Sequence, residues 1–305
     1  MIRYVIQRLL QAVVVLLAIV TVVFVLERVN SNPAALYAAP GTSVAEKLAI
    51  SRSLGLEDPL PVQYLKFLSN ITHGDLGVSF VYHLPVRDLL IHALPYSAGL
   101  GFVAFVFASV GGVLLGTVAA LNAGTWIDAL SKGITLVGQS LVSFWLGMLL
   151  VMLFSIKFQL LPAYGPGTVK NLILPAAALA AMPLAAITRL TRSAVLEVVR
   201  ADHILFERTK GVSPRVLLLH LLRNASLPIV TFSGIQLGSL LSGTITIELL
   251  FAWPGLGLLA IQAVDQRDYP IIQGVVLLET TIFVILNLLV DLTYGVLDPR
   301  LLRRR

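Results

Sequence analysis

The chain has 305 residues, of which 57% are hydrophobic and only 12% are Asp, Glu, Lys or Arg; an average soluble domain is about 25% charged. So few charges cannot cover a water-facing surface, and so rich an apolar content excludes a disordered chain, which leaves a protein whose solvent is mostly lipid. With no cysteine, disulfides, thiolate metal sites and cysteine nucleophiles are excluded together, and the formal charge of +6 belongs with cytoplasmic loops rather than with a nucleic-acid partner.

A spanning helix takes roughly 20 apolar residues, and six stretches qualify. The first runs from about Val5 to Leu26, within residues 1–29. It is longer than the roughly 7–15 apolar residues of a secretory signal, and no small-x-small cleavage site follows cleanly, so it is expected to stay as a span. Residues 30–92 then form a segment outside the membrane. Turn signals stand at Asn32-Pro33, Pro40-Gly41, Asp58-Pro59 and His73-Gly74-Asp75, and the helical spacing around Val62, Leu65, Phe67 and Leu68 predicts a small helical cap.

The second span is about Leu94 to Leu121 and the third about Gly133 to Phe158. The fourth, about Asn171 to Thr188, is the shortest and carries Pro175 and Pro183. Residues 189–226 form the largest internal segment. The fifth and sixth spans are about Leu227 to Phe251 and Gly274 to Leu297, so that residues 93–299 make a five-helix core before a basic tail at 300–305. No internal repeat is visible. With the N-terminus inside, 14 of the 22 Lys and Arg fall on inside segments, seven of them between Arg189 and Arg223. The opposite orientation would export those seven in one short loop, so both termini are placed in the cytoplasm.

Common catalytic patterns are missing. No two of His73, His83, His92, His203 and His220 are four apart, so there is no zinc-protease signature, and no metal site is expected. There is neither a Gly-x-Ser-x-Gly elbow nor a phosphate-cradling Gly-x4-Gly-Lys-Ser/Thr loop. Gly255-Leu256-Gly257-Leu258-Leu259-Ala260 fits a dinucleotide fingerprint by letters, but it follows Trp253-Pro254 at a membrane exit with no strand before it. No catalytic residue is assigned.

Polar residues inside spans carry more information, because ionisable groups there are costly and usually face a cavity or a partner. The fifth span holds Thr231, Ser233, Gln236, Ser239, Ser242, Thr244, Thr246 and Glu248. Such a helix either lines an aqueous path or packs closely with its neighbours, small residues allowing approach and hydroxyls bonding across. Gly112-x3-Gly116 and Gly234-x3-Gly238 favour packing at those two places. Gln139, Ser140 and Ser143 in the third span, with Gln236, Ser239, Ser242 and Glu248 in the fifth, are the candidates for the translocation path. Glu248 has two readings: contact with a substrate or proton relay, or a structural role capping the Trp253-Pro254-Gly255 turn. Glu279 in the sixth span could pair with a partner subunit, and Asn287 and Asp291 lie toward the cytoplasmic interface.

The internal segment is the strongest local signal. Asp202 can cap a short helix that stops at Gly211, where glycine suits a left-handed residue and Arg208 and Lys210 suit the helix dipole. Ser213 or Pro214 then starts the next helix. The short helix offers Ile204, Leu205 and Phe206 among charges. It either lies on the inner leaflet or docks into a groove of a cytoplasmic partner.

Several runs, taken in order, resemble one family. They are Arg3-Tyr4 with Gln7-Arg8-Leu9-Leu10; Leu54-Gly55-Leu56-Glu57-Asp58-Pro59-Leu60-Pro61-Val62-Gln63-Tyr64; Gly74-Asp75-Leu76-Gly77-Val78-Ser79; Ser143-Phe144-Trp145-Leu146-Gly147; Leu161-Pro162-Ala163; and Arg189-Leu190-Thr191-Arg192-Ser193. Lys210-Gly211-Val212-Ser213-Pro214-Arg215 follows, with His220 and Arg223-Asn224-Ala225-Ser226-Leu227-Pro228, and then Glu248, Trp253-Pro254-Gly255-Leu256-Gly257, Arg267-Asp268-Tyr269-Pro270 and Asp298-Pro299. Together they resemble the permease subunits of bacterial ABC importers of the oligopeptide/dipeptide/nickel type, over nearly the whole chain.

The resemblance implies an all-α, six-helix membrane protein with the type I ABC importer permease fold, in the bacterial cytoplasmic membrane. It implies a coupling helix at about Asp202 to Gly211 that seats in an ATPase subunit, with Asp202, His203, Ile204, Leu205, Phe206, Glu207, Arg208, Lys210 and Gly211 as the coupling residues. Where the family has Glu-Ala-Ala, six to four residues before the glycine, this chain has Leu205, Phe206 and Glu207. The implied partners are a second, related permease, two ATPase subunits or one fused ATPase, an external binding protein and the bilayer. ATP and Mg would be held by the ATPase, with no cofactor in this chain. Peptide is the expected substrate; nickel chelates, glutathione and other small solutes are carried by relatives. Rival readings are a secondary transporter, which often shows inverted repeats and broken helices, a membrane hydrolase, and a sensor or scaffold.

Overall fold

Among the described residues the chain is helical, apart from connections and one isolated antiparallel bridge between Val78 and Pro85. The computed structural model describes residues 2–30 and 58–297, without the side chains of 2–5, 26–30, 239, 241–242 and 291–297. The turn signals at 32–33 and 40–41, the Leu54-Gly55-Leu56-Glu57 run, the side chains of Ser239, Ser242 and Asp291, Asp298-Pro299 and the basic tail lie outside the described residues.

In chain order the helices are α1 (Ile2–Asn30), α2 (Leu60–Thr72), α3 (Val86–Leu121), α4 (Trp126–Ser140), α5 (Ser143–Leu150), α6 (Val169–Val199), α7 (Asp202–Thr209), α8 (Pro214–Leu250), α9 (Leu256–Gln266) and α10 (Tyr269–Leu297). Among the described residues five are long and apolar enough to cross a membrane, and a sixth crossing is available if α4 and α5 count as one broken span. α6 and α8 run well beyond the apolar stretches at 171–188 and 227–251. Most of the internal segment is therefore helix extending from the spans. Pro175, Pro183 and Pro228 sit inside these helices, a tolerated feature of membrane helices, where neighbours re-satisfy the freed carbonyls.

The third span corrects the expectation of a continuous helix from Gly133 to Phe158. α4 stops at Ser140, α5 starts at Ser143, and the two are bent by 109°. Leu141 and Val142 between them are extended, with ψ of 128° and 134°, and Val151–Lys157 beyond α5 widens into a π-helical stretch. Hydropathy reads only summed apolar length, and neither Pro nor Gly stands between Gln139 and Phe144 to mark the break.

The chain divides into two compact units, one of residues 1–95 with 258–285 and one of residues 96–257 with 286–305. In the first, α2 starts after Pro59 with a proline in its first turn, as helix N-termini favour, and confirms the predicted helix around Val62 to Leu68. It packs on α1: the Phe24 ring lies 5.3 Å from Tyr64 and 5.5 Å from Phe67, and Thr21 Oγ1 and Tyr64 Oη are hydrogen-bonded at 2.8 Å. The buried Ser79 hydroxyl donates to Asp268 Oδ2 at 2.5 Å, and the Val81 amide donates to the same oxygen at 3.1 Å. Two motifs far apart in sequence are thereby joined. The start of α3 packs on α10, where a Cβ on Gly274 would lie 2.6 Å from Val86 Cγ1.

In the second unit α6 is central, packed against α8, α4 and α5. Its buried face is mostly small: Ala176, Ala178, Ala180, Ala185 and Ala194, with Leu174, Leu179, Ile187 and Val195. Lipid tails are as apolar as leucine, so helices in a bilayer associate through close packing rather than through removal from water. Gly112 and Gly116 on α3 are part of that fit. A Cβ on Gly112 would meet Ile187 Cβ at 2.8 Å, and one on Gly116 would meet the Thr188 carbonyl oxygen at 2.6 Å. A Cβ on Gly234 would likewise lie 3.1 Å from Val290 Cγ1, so both glycine pairs contribute a packing glycine as expected.

Gly116→Leu should therefore overpack the α3–α6 contact at a cost of about 2 kcal/mol or more. Thermal unfolding in detergent should show a lower Tm than for a change at Gly133, beside which a Cβ meets nothing within 4 Å.

Candidate functional site

The turn between α6 and α8 is built from short-range signals. α6 ends at Val199 and Ala201 precedes α7 without a side-chain cap; Asp202 is the first helical residue rather than the cap, and its carboxylate still favours the positive end of the helix. Gly211 adopts φ +74°, the left-handed stop expected of it, and its amide donates to the Arg208 carbonyl at 3.1 Å. Ser213 then precedes α8, with Pro214 in its first turn.

α7 is fastened on one side and open on the other. Ile204 is wholly buried where α7 meets α6 and α8. Glu207 Oε2 and His220 Nδ1 lie 2.8 Å apart, and Asn224 Nδ2 is 3.4 Å from His203 Nε2, so two side chains of α7 are tied to α8. Leu205 is 51% and Phe206 59% exposed, and Lys210 Nζ sits 4.3 Å from the centre of the Phe206 ring, within cation–π range. Asp202, Arg208 and Lys210 are exposed around them. An apolar pair with a charged rim, on a helix fixed from behind, is the geometry of a segment held out to a groove.

α4 is clamped to α6 by charge. Arg192 Nε donates to Asp128 Oδ1 at 2.6 Å and Nη2 to Oδ2 at 2.9 Å, a two-pronged guanidinium–carboxylate pair. The Gly124 amide donates to Oδ2 at 3.1 Å, and Lys132 Nζ lies 3.0 Å from it. Asp128 is almost fully buried, whereas Lys132 is exposed.

A second buried carboxylate organises the turn after α8. Glu248 is wholly buried; Oε1 accepts from Ser97 Oγ at 2.6 Å and Oε2 from the Gly257 amide at 2.7 Å. Ser97 Oγ in turn accepts from the Leu256 amide at 2.7 Å, and Trp253 Nε1 donates to the Tyr96 carbonyl at 3.0 Å. Ala252 takes φ +47° to make the turn. A Cβ on Gly255 would fall on the Ser97 hydroxyl and on the Glu248 carboxylate, and one on Gly257 would lie 2.5 Å from Ile245 Cα. The glycine spacing that imitates a dinucleotide fingerprint thus reflects close approach to Glu248.

A family model described as "Binding-protein-dependent transport system inner membrane component" matches residues 112–303, and the model for the N-terminal part of such membrane components matches residues 1–101. The chain belongs to this family of inner-membrane transport permeases. The permease is 39% identical to the dipeptide transport system permease protein DppB of Escherichia coli (strain K12), over 87% of this chain and 88% of that one. It is 38% identical to the glutathione transport system permease protein GsiC of Escherichia coli O6:H1, over 98% of each chain. It is also 38% identical to the di/tripeptide transport system permease protein DppB of Pseudomonas aeruginosa, over 83% of this chain and 84% of that one. Among solved structures, a chain of the inward facing MetNI methionine ABC transporter superposes with a TM-score of 0.57 at 19% identity, over 69% of this chain and 96% of that one. An amino acid ABC transporter gives 0.55 at 15%, over 74% and 96%. These two show the shared fold.

Membership in the family removes the secondary-transporter reading, although α4 and α5 meet at a sharp break. Of the path candidates in the permease, Gln139 and Ser140 end α4 and Ser143 begins α5, so the three gather at the break. Gln139 Oε1 is 3.5 Å from Arg189 Nη1, and Ser140 Oγ donates to the Leu136 carbonyl. Gln236 lies on α8, and the side chains of Ser239 and Ser242 are outside the described residues. Glu248 is occupied by its own turn. Sequence reasoning missed Asp128 and its clamp on Arg192. The only signal was a carboxylate four residues before Lys132, which looks the same on any exposed helix.

Replacing Glu248 with Ala leaves the Ser97 hydroxyl and the Gly257 amide without their acceptor, at a cost of about 3 kcal/mol. Thermal unfolding should place both Glu248→Ala and Ser97→Ala below the parent protein, since Ser97→Ala also removes the acceptor of the Leu256 amide and the donor to Glu248 Oε1.

Proposed function

We propose that this permease is a pore-forming subunit of an ATP-driven importer of di- and oligopeptides, receiving solute from an external binding protein and working beside a second permease. The naming of dipeptide, di/tripeptide and glutathione systems among its relatives supports that substrate class, glutathione being itself a tripeptide. The chain has no phosphate-cradling loop of its own, so the energy arrives from ATPase subunits that hold ATP and Mg.

The observation that carries the mechanism is α7, gripped by Ile204, Glu207 and His203 and presenting Leu205 and Phe206 outward. Nucleotide binding closes the ATPase pair, α7 follows its groove, and α6 and α8 move with it because α7 is fastened to both. Differential affinity of the ATPase for nucleotide in the two arrangements supplies the shift from inward-open to outward-open. Solute passes beside the break between α4 and α5, where Gln139, Ser140 and Ser143 offer polar groups; irregular backbone inside a membrane is tolerated where it is buried in protein or lines a cavity. Residues 189–226 lie on the cytoplasmic side and the 30–92 segment on the side of the binding protein.

Phe206→Asp places a carboxylate in the docking face without touching the buried side of α7. Co-purification with the ATPase subunits, or stimulation of their hydrolysis by loaded binding protein, should fall at least tenfold, the loss expected when a central aromatic anchor is removed, while the melting temperature of the permease holds. Native assembly and native peptide uptake by that variant would refute the docking role.

A further inference from the structure

Two hollows adjoin along one face of the α4–α6 pair. The first, about 320 Å³, is lined by Lys132, Thr135, Gln139, Arg189 and Arg192 among others; the second, about 420 Å³, shares Arg192 and continues past Ser193 and Glu197 to Arg200. On α4 the lining residues recur at helical spacing from Lys132 through Thr135 to Gln139, and on α6 from Arg189 through Arg192 or Ser193 to Arg200. The result is a groove that begins at the break after Ser140 and runs along the inner part of both helices.

Its charge is lopsided. Lys132, Arg189, Arg192 and Arg200 line it against one carboxylate, Glu197, while the buried Asp128 behind the lining is bonded by both Arg192 and Lys132. Among the described residues no carboxylate stands within ion-pair distance of Arg189 or Arg200. Arg189 has only the 3.5 Å approach to Gln139. Basic residues that merely anchor a helix at a membrane surface cluster at its end. Here the polar lining continues inward through Thr135 and Thr188 to Gln139, at the break itself.

We infer that this groove is the inner stretch of the translocation path and that its positive field favours solutes carrying a free carboxylate, drawing them from the break toward the cytoplasm. The inference rests on the importer reading above and adds the charge class of the cargo. A cleft of one sign between low-dielectric walls concentrates ions of the other sign. Lys132 is largely exposed and shares Asp128 with Arg192, while Arg189 and Arg200 have no carboxylate partner among the described residues, so the lining attracts without trapping, as a conducting path requires.

The chain contains no cysteine, so Thr135→Cys introduces a single thiol into the groove, with Gln139→Cys as a second site. The assembled importer in phosphatidylcholine nanodiscs is treated with anionic sulfonatoethyl or cationic trimethylammonioethyl methanethiosulfonate. Each forms a mixed disulfide with the thiolate and expels methanesulfinate, and the adduct is read by mass on this chain. Rates are divided by those of a free thiol in solution. The anionic reagent should be favoured about tenfold, and the preference should collapse toward unity when Lys132→Gln and Arg189→Gln are added, while Lys132→Arg keeps it. Alanyl-aspartate should slow the labelling more than alanyl-lysine. Equal normalised rates, or protection in the reverse order, overturn the charge selection and leave the path in place. Failure of both thiols to react in every nucleotide state removes the groove from the path altogether. Labelling that is blocked in phosphatidylglycerol nanodiscs and open in phosphatidylcholine makes the occupant a lipid headgroup and also overturns the inference.

Discussion

Every backbone amide and carbonyl inside a bilayer must find its partner within the protein, and the architecture follows from that constraint. It makes the chain helical, and it permits irregular backbone only where other groups or an enclosed cavity replace water. At Leu141 and Val142 two helical segments, span-length only when taken together, meet through extended residues. The polar side chains of Gln139, Ser140 and Ser143 stand at that point.

The second governing fact is that each buried carboxylate described here holds two segments together. Asp128 ties the first turn of α4 to Arg192 of α6, Glu248 ties the end of α8 to Ser97 and to the start of α9, and Asp268 ties the start of α10 to the loop at Ser79 and Val81. A charge in an apolar interior is costly unless it is paired and hydrogen-bonded. Such groups therefore specify which segments meet more sharply than alanine and leucine contacts can. Two of the four non-glycine residues with positive φ among the described residues sit at the same places: Ala252 at φ +47° precedes the Trp253 turn, and Arg267 at φ +57° precedes Asp268.

α7 obeys a different logic. It is short, and its own apolar content is small. It is held by one wholly buried side chain and by polar ties to α8, with Leu205 and Phe206 left in the open. Glu207 stands where the family's loop has alanine, and the structure gives it a function that alanine lacks, a bond to His220. The lever proposed for α7 has to be rigid toward the bundle it moves and adhesive toward its driver, and the two faces of the helix suit that division.

Composition and pattern alone determined that this is a helical membrane protein, where its long apolar segments lie, that a short helix stops at Gly211, and, through ordered motifs, its family. These are one-dimensional properties: hydropathy sums along the chain, and caps and left-handed stops depend on a few neighbouring residues. Only the tertiary structure decided that the third apolar stretch folds as two helical segments bent by 109°, since neither Pro nor Gly stands between Gln139 and Phe144 to mark the break. It also decided what the carboxylates do. Glu248 had two readings until Ser97, about 150 residues away in sequence, was placed against it, and Asp128 was ordinary until Arg192 closed on it. Pairings across such separations follow from how helices pack, and nothing local in either partner encodes the other.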